Sequence, residues 1–446
     1  MKITKEIIQR IEGEATLEIE WEKEKISFVK IKFLNFRGIE NILRKRPFLD
    51  ALAITPRVCG ICSTSHILAS IDAIEECYRN AGYNIRLTNK AKSIREIVLN
   101  SEKIQNHIKW LYFNIYPELI KINSKNEKNA FAFDDFEWKK AQKIITKILK
   151  MTAIFSGQWP HASFCMTGGV TTDPTTGDIF TAIMQLDEVI TYCEDEIFGT
   201  SLDEYISYDS SIQIMANKCM LSEIVKMLNK NGFATLGKSH DRFIACGESF
   251  LYNEASKSIG TIVAGIDPKF ISEDLTYSFF ATDGYTYSKS AMYKDKYFET
   301  GPLARMMIAK NPLIRDFHRK SKDSTLTRIV ARISEIAHLL IRTKNLLQKI
   351  DINEPSCISP KVNFENITSS GIGIIEAARG SLIHKLEIQN GIIKDYDIIT
   401  PTVWNLGNGS KENPSIAQNA IIGLNSVDKA DFIFKSFDVC SVCTTQ

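Results

Sequence analysis

The segment TPRVCGICSTSH, residues 55–66, contains the first of two Cys-x-x-Cys pairs, Cys59 and Cys62. The second pair, Cys440 and Cys443, lies in DVCSVCTTQ, residues 438–446. Two thiolates at this spacing can share one metal centre, and thiolates select soft or borderline metals. Zinc ribbons separate their pairs by about 15–20 residues, whereas residues 63–439 lie between these two pairs. The spacing therefore favours a centre assembled by the folded chain, with a structural zinc site and a thioredoxin-like redox motif as alternatives.

The residues around the first pair indicate how it is presented. Gly60 allows the backbone to approach closely, and Ser63 and Thr64 are expected to cap a helix that runs on through the apolar residues at 67, 68 and 71. His66 follows Cys62 by four positions, so the two lie on one helical face. We consider two roles for His66, a hydrogen bond to a metal-bound sulfur and a buried core histidine.

Composition excludes several classes of protein. The 446 residues carry 55 Lys plus Arg against 53 Asp plus Glu, so the chain lacks the basic excess of a nucleic-acid-binding protein. A hydrophobic share of 44% is typical of a globular protein and excludes disorder. No apolar run reaches the roughly 18–20 residues that span a bilayer. The start of the chain has no apolar signal region, which predicts a protein without its own membrane segment or secretory signal.

Hydrophobic periodicity predicts a mostly α fold with small β elements. Alternating residues predict a β-hairpin over 15–34, with a bulge because residues 26 and 28 change phase. Apolar residues at helical spacing follow Thr88 and also occur over residues 138–151 and 178–196. The same spacing predicts one long helix over 324–350. Strands return over 372–400 around a turn at residues 389–391. We expect one multi-lobed body over 1–446, with a β-rich segment (1–50), a mainly helical core (51–350), and strands with a C-terminal segment (351–446) that complete the metal site.

A series of motifs in the same order resembles the large subunits of nickel–iron hydrogenases. The motifs cover nearly the whole chain: RIEGE (10–14), FRGIE (36–40), TPRVCGICSTSH (55–66), SGQWPHASF (156–164), GG (168–169), TGPLAR (300–305), EAARG (376–380), TPTVWNLG (400–407) and SFDVCSVC (436–443). The sequences GQWPH and TGPLAR are most similar to those of the uptake and hydrogen-sensing branch. The resemblance implies the helical fold of that family, with its N-terminal β-hairpin and strands near the C-terminus.

The resemblance also implies a binuclear centre of nickel and iron, with carbon monoxide and cyanide on the iron. By motif, Cys59 and Cys440 would bind nickel terminally, and Cys62 and Cys443 would bridge nickel and iron. These assignments come from the family pattern. The six remaining cysteines lack the clustered spacing of an iron–sulfur cluster, so electrons are expected to leave through a partner, in this family a small subunit carrying iron–sulfur clusters.

Other positions match further functional residues of the family. Glu12 would relay protons from the nickel thiolate, and Arg379 would hold its guanidinium over the open metal site. Glu40 would bind a nearby magnesium ion, while His66 and Asp438 would surround the centre. On sequence alone, a carboxylate such as Glu12 or Glu40 is equally a solvated surface charge. Dihydrogen is so weakly acidic that a metal must accept the hydride while a base, the Cys440 thiolate or Arg379, accepts the proton.

Three positions depart from the family pattern: Val439 and Ala378, where proline is usual, and Gln446, where histidine is a magnesium ligand. A glutamine oxygen also suits magnesium, and it occurs at this position in some hydrogen-sensing members. We therefore expect a catalytic large subunit that oxidises dihydrogen, with a hydrogen sensor as the alternative and a metal-free respiratory homologue as a third. Maturation proteins are implied. Cytoplasmic localisation is expected, and the alternatives are membrane association or export through a partner subunit.

Overall fold

The first strands of the chain form a three-stranded antiparallel sheet. The computed structural model describes residues 2–9, 11–124, 135–361 and 367–444. Strand β1 (Lys2–Ile8) pairs with β2 (Ala15–Glu22), which pairs with β3 (Lys25–Lys32). The predicted hairpin is confirmed, and the bulge appears as a register shift between Glu20 and Trp21. Sequence periodicity missed β1 because it is an edge strand with mostly exposed side chains, so it has no buried apolar face to reveal it.

A helical body follows and confirms the predicted fold class. Its α-helices are α1 (Ile39–Leu43), α2 (Ala51–Ile54), α3 (Ser63–Asn80), α4 (Asn89–Trp110), α5 (Tyr116–Ser124), α6 (Asp135–Ser156), α7 (Thr176–Tyr192), α8 (Leu202–Ile206), α9 (Ser211–Ala216), α10 (Met220–Lys230), α11 (Pro302–Ile308), α12 (Pro312–Ser321) and α13 (Thr325–Lys349). The predicted cap of α4 is present, because the Thr88 side chain accepts from the Ala91 N–H at 3.0 Å. The long helix predicted over 324–350 is α13, capped by Ser324.

Short strands replace helices between α10 and α11, where the sequence is less regular. Cys165–Met166 (β4) and Gly169–Val170 (β5) form a two-residue pair before this region. Strands β6 (Arg242–Ala245), β7 (Ser256–Ile259) and β8 (Ile262–Gly265) form one small sheet, and β9 (Ile271–Asp274) pairs with β10 (Ser290–Tyr293). The sequence shows no helical periodicity here, in agreement with the structure.

The C-terminal sheet carries the arginine of the EAARG motif. Strands β11 (Ser369–Ala377), β12 (Gly380–Gln389) and β13 (Ile392–Ile399) are antiparallel, and helices α14 (Pro401–Leu406), α15 (Ile416–Ile421) and α16 (Val427–Ser436) follow. The predicted turn lies at Asn390 and Gly391, both with positive φ (52° and 75°), as a tight hairpin requires. Arg379 lies in the turn between β11 and β12.

Helix α3 lies directly against β11, and two glycines allow this close approach. A Cβ atom at Gly373 would meet the carbonyl oxygen of Ala69 at 1.8 Å, and one at Gly371 would meet that of Ala73 at 2.2 Å. Only glycine fits such a backbone contact. The contact fixes the helix that follows the first cysteine pair against the sheet that carries Arg379.

The largest apolar cluster contains residues from Ile8 to Val439 and so includes all three predicted segments. We therefore propose that the chain folds as one body, as expected from the sequence. A hydrophobic core continuous across the boundaries at residues 50 and 350 supports this, because separate domains have their own cores.

Candidate metal centre

The two cysteine pairs, separated by most of the sequence, meet in the folded chain. Cys59 and Cys62 precede α3, while Cys440 and Cys443 follow α16. The sulfurs of Cys59 and Cys440 lie 3.6 Å apart, those of Cys62 and Cys443 3.5 Å, and those of Cys440 and Cys443 2.8 Å. All four residues are buried, and none forms a disulfide. The structure thus forms a buried group of four thiols from opposite ends of the chain.

The electrostatics of this group favour a bound cation. Hydrogen bonds from the other thiols, Cys440 first, together with Arg379, hold the pKa of the Cys59 thiol well below its ordinary value. The neighbouring Cys440 sulfur raises the pKa values of Cys62 and Cys443 well above theirs. Adjacent buried thiolates cannot all ionise without compensating positive charge. A soft metal supplies that charge and deprotonates its thiol ligands, so the donor set fits a nickel–iron centre.

The start of α3 is held by a carboxylate that the sequence did not indicate. Glu102 on α4 accepts from the backbone N–H groups of Thr64 (2.7 Å) and Ser65 (3.0 Å), and from the Ser65 hydroxyl (2.7 Å). The prediction that the Ser63 and Thr64 hydroxyls cap this helix is therefore wrong. A carboxylate at a helix N-terminus satisfies free N–H groups and opposes the positive end of the helix dipole. This interaction fixes the backbone immediately after Cys62 relative to α4.

Arg379 lies between two cavities that flank the cysteines. Its Nε donates to the Asp438 carbonyl oxygen (3.0 Å), and its Nη2 donates to the Asp438 carboxylate (3.1 Å). Its Nη1 is buried and has no hydrogen-bond partner among the residues that the structure describes. Buried donors are almost always paired, so this nitrogen is available to a group bound between the sulfurs and the guanidinium. The structure therefore brings Arg379 and Asp438 to the cysteines.

Two further residues hold Asp438, and sequence reasoning missed both. Arg332 on α13 donates from Nη1 to Asp438 Oδ2 at 2.8 Å. With its amide oriented by its partners, Asn106 on α4 donates to the same oxygen at 2.9 Å and accepts from Arg379 Nη2 at 3.2 Å. Nothing in their local sequence marked them, because a polar residue in a helical segment does not show from sequence alone that it is buried.

Glu12 lies beside the cysteines at the wall of a large cavity. Its backbone carbonyl accepts from the Ser441 N–H at 2.8 Å, and its N–H donates to the Val439 carbonyl at 3.4 Å. The cavity has a volume of about 850 Å³, and Glu12, Lys109 and Arg379 are among its lining residues. Burial, and then the Cys59 sulfur, raise the pKa of the Glu12 carboxyl above its ordinary value. A raised pKa brings a carboxyl closer to neutral pH, where it can both accept and donate a proton.

His66 lines a second, small cavity together with Cys62, Cys443 and Arg379. Its Nδ1 lies 3.1 Å from His384 Nε2, and His384 Nδ1 lies 2.7 Å from the Tyr396 hydroxyl. Burial lowers the pKa of His66 to about 4, so the ring is neutral. Within the described chain, no hydrogen bond joins His66 to a cysteine sulfur. The structure thus places His66 beside the centre and hydrogen-bonded to a second histidine.

Glu40 lies in a separate polar pocket near β13. Its carboxylate accepts from the Ile398 N–H at 2.8 Å, and both of its oxygens lie within 3.3 Å of Lys289 Nζ. Lys289 also pairs with Glu273 at 3.2 Å. Burial raises the pKa of Glu40, and that of Glu273 to about 7. Oxygen Oε1 of Glu273 is buried and has no partner in the described chain. In the structure the Lys289 ammonium lies between the two carboxylates, whose oxygens are of the type that a hard cation such as magnesium prefers.

The C-terminal segment approaches this region through Thr400. The Thr400 hydroxyl donates to the Cys443 carbonyl at 2.7 Å, and Thr400 follows β13 directly. Gln446, the predicted magnesium ligand, lies outside the described residues, so its proposed position beside Glu40 stays a prediction.

Comparison with known proteins identifies the family. The family model for nickel-dependent hydrogenases matches residues 37–130 and 264–446, more than half of the chain. The periplasmic [NiFeSe] hydrogenase large subunit of Desulfomicrobium baculatum is 24% identical, with 91% of this chain and 86% of that protein covered. The hydrogenase-2 large chain of Escherichia coli is 22% identical over 100% of this chain and 97% of its own length.

The fold agrees with these matches. The crystal structure of a reduced, active form of the Ni-Fe-Se hydrogenase from Desulfomicrobium baculatum superposes with a TM-score of 0.85 at 21% identity, over the full length of both chains. The chain belongs to the nickel-dependent hydrogenase family. It is the catalytic large subunit of such an enzyme, an oxidoreductase that activates dihydrogen at a nickel–iron site.

Proposed function

We propose that Cys59, Cys62, Cys440 and Cys443 hold the nickel–iron centre at which dihydrogen is cleaved. The convergence of their four buried sulfurs, two of which line one cavity with Arg379, is the observation that carries this proposal. By the family pattern, Cys59 and Cys440 would each bind nickel, and Cys62 and Cys443 would bind both nickel and iron. When bound, the centre supplies the site that accepts the hydride.

The chain's own side chains then handle the proton. We assign Cys440 as its first acceptor, because the charges of Asp438 and the cysteine sulfurs outweigh burial and raise the pKa of Arg379 well above its ordinary value. A guanidinium held in this way stays cationic, so Arg379 orients and stabilises charge at the open site. Glu12 lies against the backbone of Cys440 and lines the large cavity. It is the proposed carrier of the proton from Cys440 to that cavity.

The small cavity beside His66 offers polar contacts to ligands on a bound iron. Its wall combines the Arg379 guanidinium with apolar groups and a hydroxyl that has no partner within the described chain, and it is lined by Cys62, His66, Ala377, Arg379, Leu382, Pro401, Thr402 and Cys443. Donors in an apolar, closed setting favour small ligands with a hydrogen-bond-accepting end. Carbon monoxide and cyanide on a bound iron would contact these groups.

Electrons released at the centre need a partner. A small subunit carrying iron–sulfur clusters is the proposed acceptor, and maturation proteins are proposed to deliver the metals. Within the described parts of the chain, no helix combines the length and apolar character needed to cross a bilayer. Cytoplasmic localisation stays a prediction, since one relative is named as periplasmic. Membership of the uptake or hydrogen-sensing branch also stays a prediction from the motif sequences. Neither of the two relatives compared by sequence is named as a sensor.

Metal analysis of the chain purified with its small subunit tests this function. One nickel per large subunit is expected, with iron in excess of nickel because the clusters of the small subunit also contain iron, together with hydrogen-dependent reduction of a viologen dye. Zinc in place of nickel would support the structural alternative, and an intact complex with neither nickel nor zinc would support the metal-free homologue. Active enzyme with a low turnover would favour the sensing role over an uptake role.

Removal of the Glu40 carboxylate is expected to release magnesium. Glu40→Gln deletes an anionic oxygen ligand from the pocket of Lys289 and Glu273, and neutral oxygens bind hard cations less strongly. Magnesium measured by plasma mass spectrometry should fall from stoichiometric to background. Glu387→Gln, at an exposed Lys394 ion pair, is the matched control. Retention of magnesium in Glu40→Gln would exclude Glu40 as its ligand.

A further inference from the structure

Helix α13 carries buried charges on its packed face. Arg328, Arg332 and Glu335 are each no more than 4% exposed. Burying a charge is costly unless it is paired and hydrogen-bonded. Arg328 is neutralised by Glu299 at 2.7 Å. The partners of Arg332 and Glu335 lead toward the metal centre.

The first connection from Glu335 reaches the side chain of Arg379. Glu335 Oε2 lies 2.9 Å from His107 Nε2, and His107 Nδ1 lies 3.3 Å from Arg332 Nη1. The same Arg332 nitrogen donates to Asp438 at 2.8 Å, and the other Asp438 oxygen accepts from Arg379 at 3.1 Å. These contacts form one continuous chain of buried hydrogen bonds.

The second connection from Glu335 reaches the backbone before Arg379. Arg305 donates from Nε and Nη2 to the two Glu335 oxygens at 2.6 and 2.7 Å. Its Nη1 donates to the Ala377 carbonyl at 3.0 Å, and its Nη2 donates to the Ala378 carbonyl at 3.3 Å. Glu335 therefore supports both the side chain and the main chain of Arg379, by separate routes.

The tautomer of His107 follows from its two partners. Arg332 can only donate, so His107 Nδ1 must accept and carries no proton. The proton is then on Nε2, which donates to the Glu335 carboxylate. Burial lowers the pKa of His107 to about 4, so the ring stays neutral. A neutral imidazole in this one orientation is the only link between Arg332 and Glu335 in the first connection.

We propose that His107 and Glu335 are positioning residues for Arg379, acting through Arg332 and Asp438. The inference rests on the proposed function of Arg379 at the metal centre. Arg379 must hold Nη1 toward the open site, and a displacement of about 1 Å in a catalytic group can cost about 100-fold in rate. The orientation of the Asp438 carboxylate is set by Arg332 and Asn106, which both donate to its Oδ2. Arg332 is in turn held by His107.

Replacement of His107 tests the proposal. His107→Phe removes both hydrogen bonds, and hydrogen oxidation is expected to fall by about 10–100-fold, the usual cost of losing a supporting hydrogen bond at a metal site. His107→Gln retains one acceptor and one donor and should recover most of the activity. His338→Phe is the matched control, because His338 is a mostly buried histidine on α13 that pairs with Asn311. Nickel, iron and Tm should be unchanged in His107→Gln relative to wild type.

A double-mutant cycle separates positioning from a general loss of structure. If His107 acts only through Arg379, His107→Phe should cause little further loss in an Arg379→Lys background. Infrared bands of the iron-bound carbon monoxide and cyanide should also shift in the same direction in both single variants. If the two losses of activity multiply in the double variant, or if the infrared bands are unchanged in His107→Phe, the inference about His107 fails while the proposed function of Arg379 stands. Full activity of Arg379→Lys would overturn the proposed function of Arg379, and the inference with it.

A measurement on the side chain itself does not depend on activity. Nitrogen-15 spectra of histidine-labelled protein should show His107 with an unprotonated Nδ1 and a protonated Nε2 across neutral pH, with the signal assigned by its loss in His107→Gln. The opposite tautomer, or a ring that titrates near its ordinary pKa, would contradict the proposed chain of contacts.

Discussion

Replacing Cys440 by alanine is expected to abolish hydrogen oxidation and to lower the nickel content to background. Its sulfur lies within 3.6 Å of Cys59 and 2.8 Å of Cys443, and a methyl group cannot fill a thiolate ligand position. The same result is expected for alanine at Cys59, Cys62 or Cys443. Serine at these positions should retain some metal, but less than cysteine does, because a hydroxyl is a much poorer ligand for soft metals. Plasma mass spectrometry and viologen reduction measure both effects.

Cys193→Ala is the matched control for these four variants. Cys193 is a fully buried free cysteine in the helical body, away from the centre, so its replacement tests the loss of a buried sulfur alone. It should leave metal content and activity close to wild type. Full activity in any one of the four centre variants would contradict the assignment of the metal ligands.

Glu12→Gln is expected to give an enzyme that holds its metals but exchanges protons slowly. The amide keeps the size of the side chain and cannot carry a proton at neutral pH. Positioned acid–base groups contribute about 10²–10⁴-fold to rate, so hydrogen oxidation and hydrogen–deuterium exchange should both fall by a factor in this range. Nickel and iron should be unchanged, because Glu12 contacts the cysteine segment through its backbone.

Glu14→Gln provides the comparison for this prediction. Glu14 lies two residues further along the same segment and is exposed, and its backbone N–H donates to the Ser441 hydroxyl at 2.8 Å. Its side chain has no part in the proposed path, so exchange should stay near the wild-type rate. Equal rates in Glu12→Gln and wild type, with intact metals, would show that protons leave by another route.

The sequence indicated which residues lie together wherever short motifs mark them. Both cysteine pairs, Glu12 and Arg379 lie in recognisable segments, and the structure brings them together. Asn106, Arg332 and His107 escaped prediction because their roles depend on contacts across the fold, which no local spacing encodes. A buried charge on an amphipathic helix looks the same in sequence as an exposed one.

The fold likewise has features set by local sequence and features set by tertiary contacts. The long helix over 324–350 and the hairpin turn at Asn390 and Gly391 follow from periodicity and turn chemistry, which are local. Strand β1 depends on pairing with β2, and the cap of α3 depends on Glu102, a residue on the next helix. Lys289 between Glu40 and Glu273 is likewise a tertiary contact. Such features become predictable only once the packing is known.

The contact between Glu12 and the Val439–Ser441 backbone has a consequence for folding kinetics. It joins residues at opposite ends of the sequence, so its loop-closure entropy is among the largest in the chain, and contacts of this kind form slowly. The surrounding helices and sheets can therefore become ordered before the last cysteine pair docks. Until it docks, the four sulfurs are not yet together, so we expect the metals to enter before this last contact closes.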